Sequence, residues 1–194
     1  MKRIILFLIF SAFYSCVNKD AAELVLTFNR FEEALFLINN DNIEVQIQNL
    51  ENDFGTFNEV FETQIIRKVE MTNTTYSNEL LAFVNHPDMR EAYDSVSVMY
   101  SDLSDIKQEL NIAFSLFNNS FPDYPIPEIT TFFGGFNYGV VTYDNNIAIG
   151  LENFLGMNSR FYRLLENPEY LRFQKQRKFI SSNVMEVWLN EYFE

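Results

Sequence analysis

The chain has 194 residues, 47% of them apolar and 21% charged, with a formal net charge of −13. That acidity excludes the nucleic-acid-binding classes, which need a basic face, and excludes adsorption to anionic lipid by charge alone. The apolar content suffices for one packed core, and the abundance of Phe and Asn reads as codon bias in an AT-rich genome.

The N-terminus, MKRIILFLIFSAFYSCVNKD, places the basic pair Lys2 and Arg3 before the apolar run from Ile4 to Phe10. A run this short cannot cross a hydrocarbon layer of about 30 Å, so residues 1–15 read as a cleaved export signal. Cys16 is the only cysteine, which rules out an internal disulfide. With Ser15 before it, Cys16 resembles the cysteine of a bacterial lipobox, although Phe13 stands where leucine is usual. That likeness implies acylation (palmitate among the chains) and a firm lipid anchor, against the plainer reading of an incidental cysteine after an ordinary signal. Residues 16–22 then serve as a tether, and residues 23–194 form a single domain.

Along that domain, Leu24 to Phe28 alternates as a strand does, and Arg30 to Leu37 turns helical. Asp41 and Asn42 are candidate caps for a helix carrying Ile43, Ile47, Leu50 and Phe54 on one face, closed by Gly55. Phe57, Val60, Phe61, Gln64 and Ile65 give a further short helical face. Asn73 to Tyr76 reads as a loop before a turn bearing Leu80, Leu81 and Val84. His86 and Pro87 start the longest signal: apolar residues from Met89 to Phe117 recur every three or four positions, which predicts one long helix kinked near Ser101. Pro122 to Pro127 is a proline-rich connector into a region of different character. The chain is therefore expected to be α+β, helix-rich in its first half, with a small sheet or hairpin in its second.

Five of the six glycines fall between Phe132 and Gly156. A phosphate loop would need Gly-x₄-Gly-Lys-Ser/Thr or a Gly-x-Gly-x-x-Gly turn, and neither occurs. No lysine or arginine lies between Gly134 and Gly156, so a phosphate would meet no cation. The segments 129–133, 140–143 and 147–149 read as strands, with Asp144-Asn-Asn as a turn between the last two. Gly134, Gly135 and Gly139 are then expected to shape a hairpin whose exposed edge could accept another strand.

The combination of Phe121-Pro-Asp-Tyr, Phe133-Gly-Gly-Phe-Asn-Tyr-Gly-Val-Val, Ile147-Ala-Ile-Gly-Leu-Glu-Asn-Phe-Leu-Gly, Phe161-Tyr and Val184-Met-Glu-Val-Trp resembles the gliding-motility lipoprotein GldB family of the Bacteroidota. The resemblance implies an accessory lipoprotein of the cell envelope, facing the periplasm. Val17 after the cysteine leans it toward the outer membrane. Its partners would be envelope proteins of the gliding machinery and its associated secretion system. The resemblance carries over no catalytic residue and implies no cofactor. A more distant likeness to predicted zinc peptidases implies a degenerate zincin-like arrangement. The helix that would bear His-Glu-x-x-His, Ser181 to Tyr192, contains no histidine, however, and His86 is the only one in the chain. The rival function classes are a peptidase-like hydrolase whose site is completed outside this chain and a generic peptide-binding envelope lipoprotein.

Other candidates carry less. His86 is a helix-start residue, and a Ser-His-Asp or Cys-His pair cannot be built around it. Asp102, Asp105 and Glu109 share a helical face, as a solvated surface or, less simply, a calcium site. The segment from Arg160 to Lys178 sets six cations against Glu166 and Glu169. Within it, Arg172, Lys175, Arg177 and Lys178 are a candidate docking patch for an acidic partner or lipid head groups, or else a basic loop balancing the acidic surface. The last helix stops at Glu194 with no closing glycine, and the family resemblance implies a longer chain, with further helices covering Trp188 and the sheet.

Overall fold

A computed structural model describes residues 24–66 and 73–193; the expected export signal, Cys16 and the expected tether lie outside them. The strand expected at Leu24 to Phe28 falls later, as β1 (Phe28–Arg30). The reason is a competing partner: the Leu26 N–H donates to Asn111 Oδ1 at 2.9 Å, so residues before Thr27 lie along a helix instead of a strand. The first helix, α1 (Phe31–Leu35), follows directly.

Helix α2 (Ile43–Val60) is broken at Gly55, whose φ of 43° and ψ of −115° interrupt it where the sequence predicts closure. Asn42 stands at its N-cap position, but its side chain makes no capping hydrogen bond. Asn42 Oδ1 instead accepts from the backbone N–H of Asn39 at 2.8 Å. A π-helical turn over Phe61–Ile65 continues the path. Phe31 packs against Phe54, Phe57 and Phe61 with ring centroids 5.0, 5.0 and 4.7 Å away. Each such pair adds to plain burial, because ring edges and faces attract.

The loop expected at Asn73 to Tyr76 is instead part of α3 (Asn73–Asn85). Tyr76 is its first buried contact, followed one and two turns later by Leu80 and Val84, each at 3% exposure or less. That three-residue stripe is what overrides the turn-like Asn-Thr-Thr composition. The long helical signal becomes two helices, α4 (Pro87–Met99) and α5 (Ser104–Ser120), parted at Tyr100 to Leu103. His86 is the N-cap of α4, its Nδ1 accepting from Asp88 N–H at 3.2 Å, with Pro87 at the first helical position.

The sheet is completed by β2 (Ile129–Phe132), β3 (Val140–Tyr143) and β4 (Asn146–Gly150), in the order β1-β2-β4-β3. β1, β2 and β4 run parallel, and β3 is antiparallel to β4. The glycine pair therefore does not form a hairpin. β2 is bonded on both sides, by β1 and β4, so the loop after it must cross the end of β4 to reach β3. The tight hairpin is β3–β4, turned by Asp144 and Asn145 at φ of 43° and 61°. That is the double left-handed turn which the Asp-Asn-Asn composition favours.

After β4 come a 3-10 turn (Leu151–Phe154), α6 (Arg160–Leu164), α7 (Glu169–Gln174) and α8 (Ile180–Phe193). Alternation puts the helices on both sheet faces: Phe132 and Tyr143 meet Phe57 of α2, while Thr142 Oγ1 donates to Glu191 of α8. Trp188 is fully buried, against Phe114 and Phe117 of α5 and Tyr192 of its own helix. The class is α+β, as the sequence implies.

Candidate functional site

The glycine loop does cradle an acidic group, and that group belongs to the protein itself. Gly135 and Phe136 both have φ of 69°. Two left-handed residues in succession turn neighbouring N–H groups toward one point, which makes a concave donor site. At that point sits Glu152, whose Oε1 accepts from Gly134 N–H at 2.8 Å and Phe136 N–H at 3.0 Å. Glu152 is completely buried, and its second oxygen, Oε2, has no partner among the described residues. Burial is the largest influence on this carboxyl and pushes its pKa up to about 7; the two N–H donors pull the other way, and the charge of Glu32 adds to the rise.

The 3-10 turn that carries Glu152 is tied down from several directions. The Tyr162 hydroxyl donates to Glu152 O and accepts from Leu155 N–H, both at 2.8 Å. The Tyr100 hydroxyl, at the break between α4 and α5, donates to Phe154 O at 2.6 Å. Asn153 Nδ2 donates to Tyr138 O at 2.8 Å, which pins the far end of the glycine loop. Gly150 is required here by contact: a Cβ at that position would lie 2.2 Å from Tyr138 O. A second buried carboxylate, Glu32, is paired with Arg30 and accepts from Thr131 Oγ1 at 2.8 Å; burial raises its pKa as well.

The four basic candidates have different partners. Arg177 clamps the break between α4 and α5: it pairs with Asp105, donates to Met99 O and Asp102 O at 2.7 Å each, and lies 4.9 Å from the Tyr100 ring centroid. It thereby satisfies carbonyls that a helix end leaves open. Lys175 Nζ donates to Asn153 Oδ1 at 2.8 Å and lies over the Tyr162 ring. Lys178 covers the rings of Phe173 and Phe179. Arg172 is partly buried, its Nε unpartnered among the described residues. The acidic face of α5 is also in use: Asp102 accepts from Ser104, Asp105 holds Arg177, and Glu109 accepts from Ser181 Oγ at 2.7 Å. Among the described residues, no three His, Cys, Asp or Glu side chains come together as a metal centre.

Two groups escape the sequence reading. Glu152 is the only charged residue in the apolar run from Ile147 to Gly156, and that isolation is a usable signal of an internal role. Glu32 sits beside Glu33 and cannot be told from it by composition.

The fold and this site define an α+β protein organised round internally bound carboxylates, with no helix among the described residues long and apolar enough to cross a membrane. A family model described as "Gliding motility protein GldB" matches residues 16–194, and the chain belongs to that family of gliding-motility lipoproteins. Neither the curated proteins nor the solved structures contain a match.

Proposed function

We propose that this chain is a non-catalytic lipoprotein of the cell envelope, anchored through acylated Cys16 and supporting gliding motility together with its associated secretion machinery. The family match over residues 16–194 carries this reading, and its first residue coincides with the expected anchor. The geometry supports the non-catalytic part. Glu152 and Glu32, the two buried carboxyl groups among the described residues, are turned inward and held by the chain's own donors. The domain sits on the periplasmic side, at the outer membrane, and works through contacts with envelope proteins of the gliding apparatus.

Deleting the gene should abolish spreading over surfaces, and a copy carrying Glu152→Gln should restore it. Loss of spreading by Glu152→Gln at unchanged protein level would refute the non-catalytic reading, as would stoichiometric zinc in the purified protein. Mass spectrometry of the mature N-terminus should find an acylated Cys16; an unmodified cysteine or cleavage elsewhere refutes the anchor.

A further inference from the structure

Beside the carboxylate knot runs an open groove of about 330 Å³, lined among others by Asn153, Asn167, Gln174, Lys175 and Asn183, with Gly139 at its side. This volume lies at the small end of ligand pockets, large enough for one side chain or a chain terminus. Its lining is unusual for so acidic a protein: it offers amides and a cation, and no carboxylate lines it.

Lys175 is the centre of the argument. It is partly buried, and its Nζ rests on two neutral groups, the Asn153 carbonyl at 2.8 Å and the Tyr162 ring centroid at 5.2 Å. Among the described residues it forms no ion pair. Glu152 acts on it electrostatically without contacting it, and burial lowers the pKa of the ammonium. A partly desolvated cation with no counter-ion is costly to keep, and an ammonium with one hydrogen bond made has two N–H groups left to give. Around it, the side chains of Asn167 and Gln174 have no partner among the described residues, and Asn183 spends one N–H on Phe179 O at 2.8 Å.

We propose that this groove binds a carboxylate group, with Lys175 as its cation and the side-chain amides of Asn167, Gln174 and Asn183 as surrounding donors. One cation matches one negative charge. A dianion such as phosphate would leave a charge uncompensated in a chain whose formal net charge is −13. The guanidinium fork that suits phosphate is absent from the lining, and Arg177 is committed to Asp105 and the carbonyls of Met99 and Asp102. The carboxylate comes as a free small acid or as the C-terminus of a peptide. The inference stands apart from the motility reading, since the groove is present whatever process the protein serves.

The test is an NMR titration of the purified full chain, following the side-chain amide signals of Asn153, Asn167, Gln174 and Asn183. The probes are sodium acetate and N-acetyl-trialanine with either a free or an amidated C-terminus. Saturable shifts with acetate and with the free-acid peptide identify the carboxylate alone as the ligand. Shifts with the free-acid peptide only identify a chain terminus. In either case Lys175→Gln should bind about tenfold more weakly, the worth of one charge-assisted hydrogen bond, while Lys175→Arg keeps most of the affinity. The double variant Asn167→Ala, Gln174→Ala, which leaves the lysine alone, should bind at least about threefold more weakly on the same hydrogen-bond scale. The proposal is overturned by the absence of saturable shifts with either acid, by equal binding of the amidated peptide, or by undiminished binding to the folded variants.

Discussion

Replacing Glu152 by Gln tests the carboxylate knot through its dependence on pH. Glutamine keeps the shape and one carbonyl oxygen, so both backbone donations to that position survive. What it removes is the ionisation. The carboxyl has an ordinary value of 4.5, which burial raises to about 7 in the folded protein. The folded state therefore holds its proton more tightly than the unfolded state. The stability this group contributes is complete below pH 4.5 and is lost as pH rises toward 7. Because the group is fully buried, solvent screening does not discount it. At about 1.4 kcal/mol per pH decade, the loss between pH 5 and pH 8 comes to about 2.5 kcal/mol. Below pH 5 the protein nears its isoelectric point of about 4.5 and becomes hard to keep in solution. Urea denaturation of both proteins from pH 5 to pH 8 should show the stability difference moving in favour of the glutamine variant by that amount. In a domain of this size the corresponding change in relative melting temperature is about 5–10 °C. Glu32 titrates in both proteins and largely cancels. Parallel stability curves would refute the reasoning, because the carboxylate would then have to be solvated or paired.

Arg177→Ala should cost about 2–4 kcal/mol in urea denaturation, since it strips charged hydrogen bonds from Asp105, Met99 O and Asp102 O together. Arg177→Lys should recover only part, because an ammonium cannot span all three acceptors. Gly150→Ala should destabilise by about 3 kcal/mol or more: its φ of −79° suits alanine, but the Cβ would meet Tyr138 O at 2.2 Å, and the loop would have to move. Gly55→Ala should cost about 1–3 kcal/mol, because the added Cβ meets nothing within 4 Å and the whole penalty is a backbone of φ 43° and ψ −115° that L-residues rarely adopt. Tyr100→Phe should lose about 1–2 kcal/mol by leaving Phe154 O without its buried donor. Thermal melts of the three variants would rank them, and equal costs for the two glycines would refute the contact argument.

What the sequence reveals of this fold is local. Asp144-Asn-Asn contains its own turn chemistry, His86-Pro87 its own helix start, and Gly55 its own helix stop, so each is legible from a few residues. The strand order is not: β4 enters between β2 and β3 because of pairings made across the whole chain, and nothing near Gly134 announces them. The same holds for the site. The glycine cluster advertises an unusual backbone, but its partner Glu152 lies outside the loop and is found only by asking why one carboxylate sits in an apolar run. Arg172, Lys175, Arg177 and Lys178 look alike as a run of charges, yet the fold gives each a different surrounding. Part of that difference comes from the break between α4 and α5, which offers Arg177 its acceptors.

The parallel pairing of β1 with β2 has a consequence for how the molecule is made. Phe28 meets Ile129, and the five helices α1–α5 lie between the strands in sequence. Closing so distant a contact must be completed before the sheet rewards it, and folds of this kind form slowly. Phe57 illustrates the delay, since its aromatic neighbours Phe132 and Tyr143 arrive only after the first five helices have been synthesised. If residues 1–15 act as the export signal proposed for them, such a delay would be useful. A growing polypeptide that stays loose could thread through a translocation channel, with folding deferred to the far side, where the last strands reach the first.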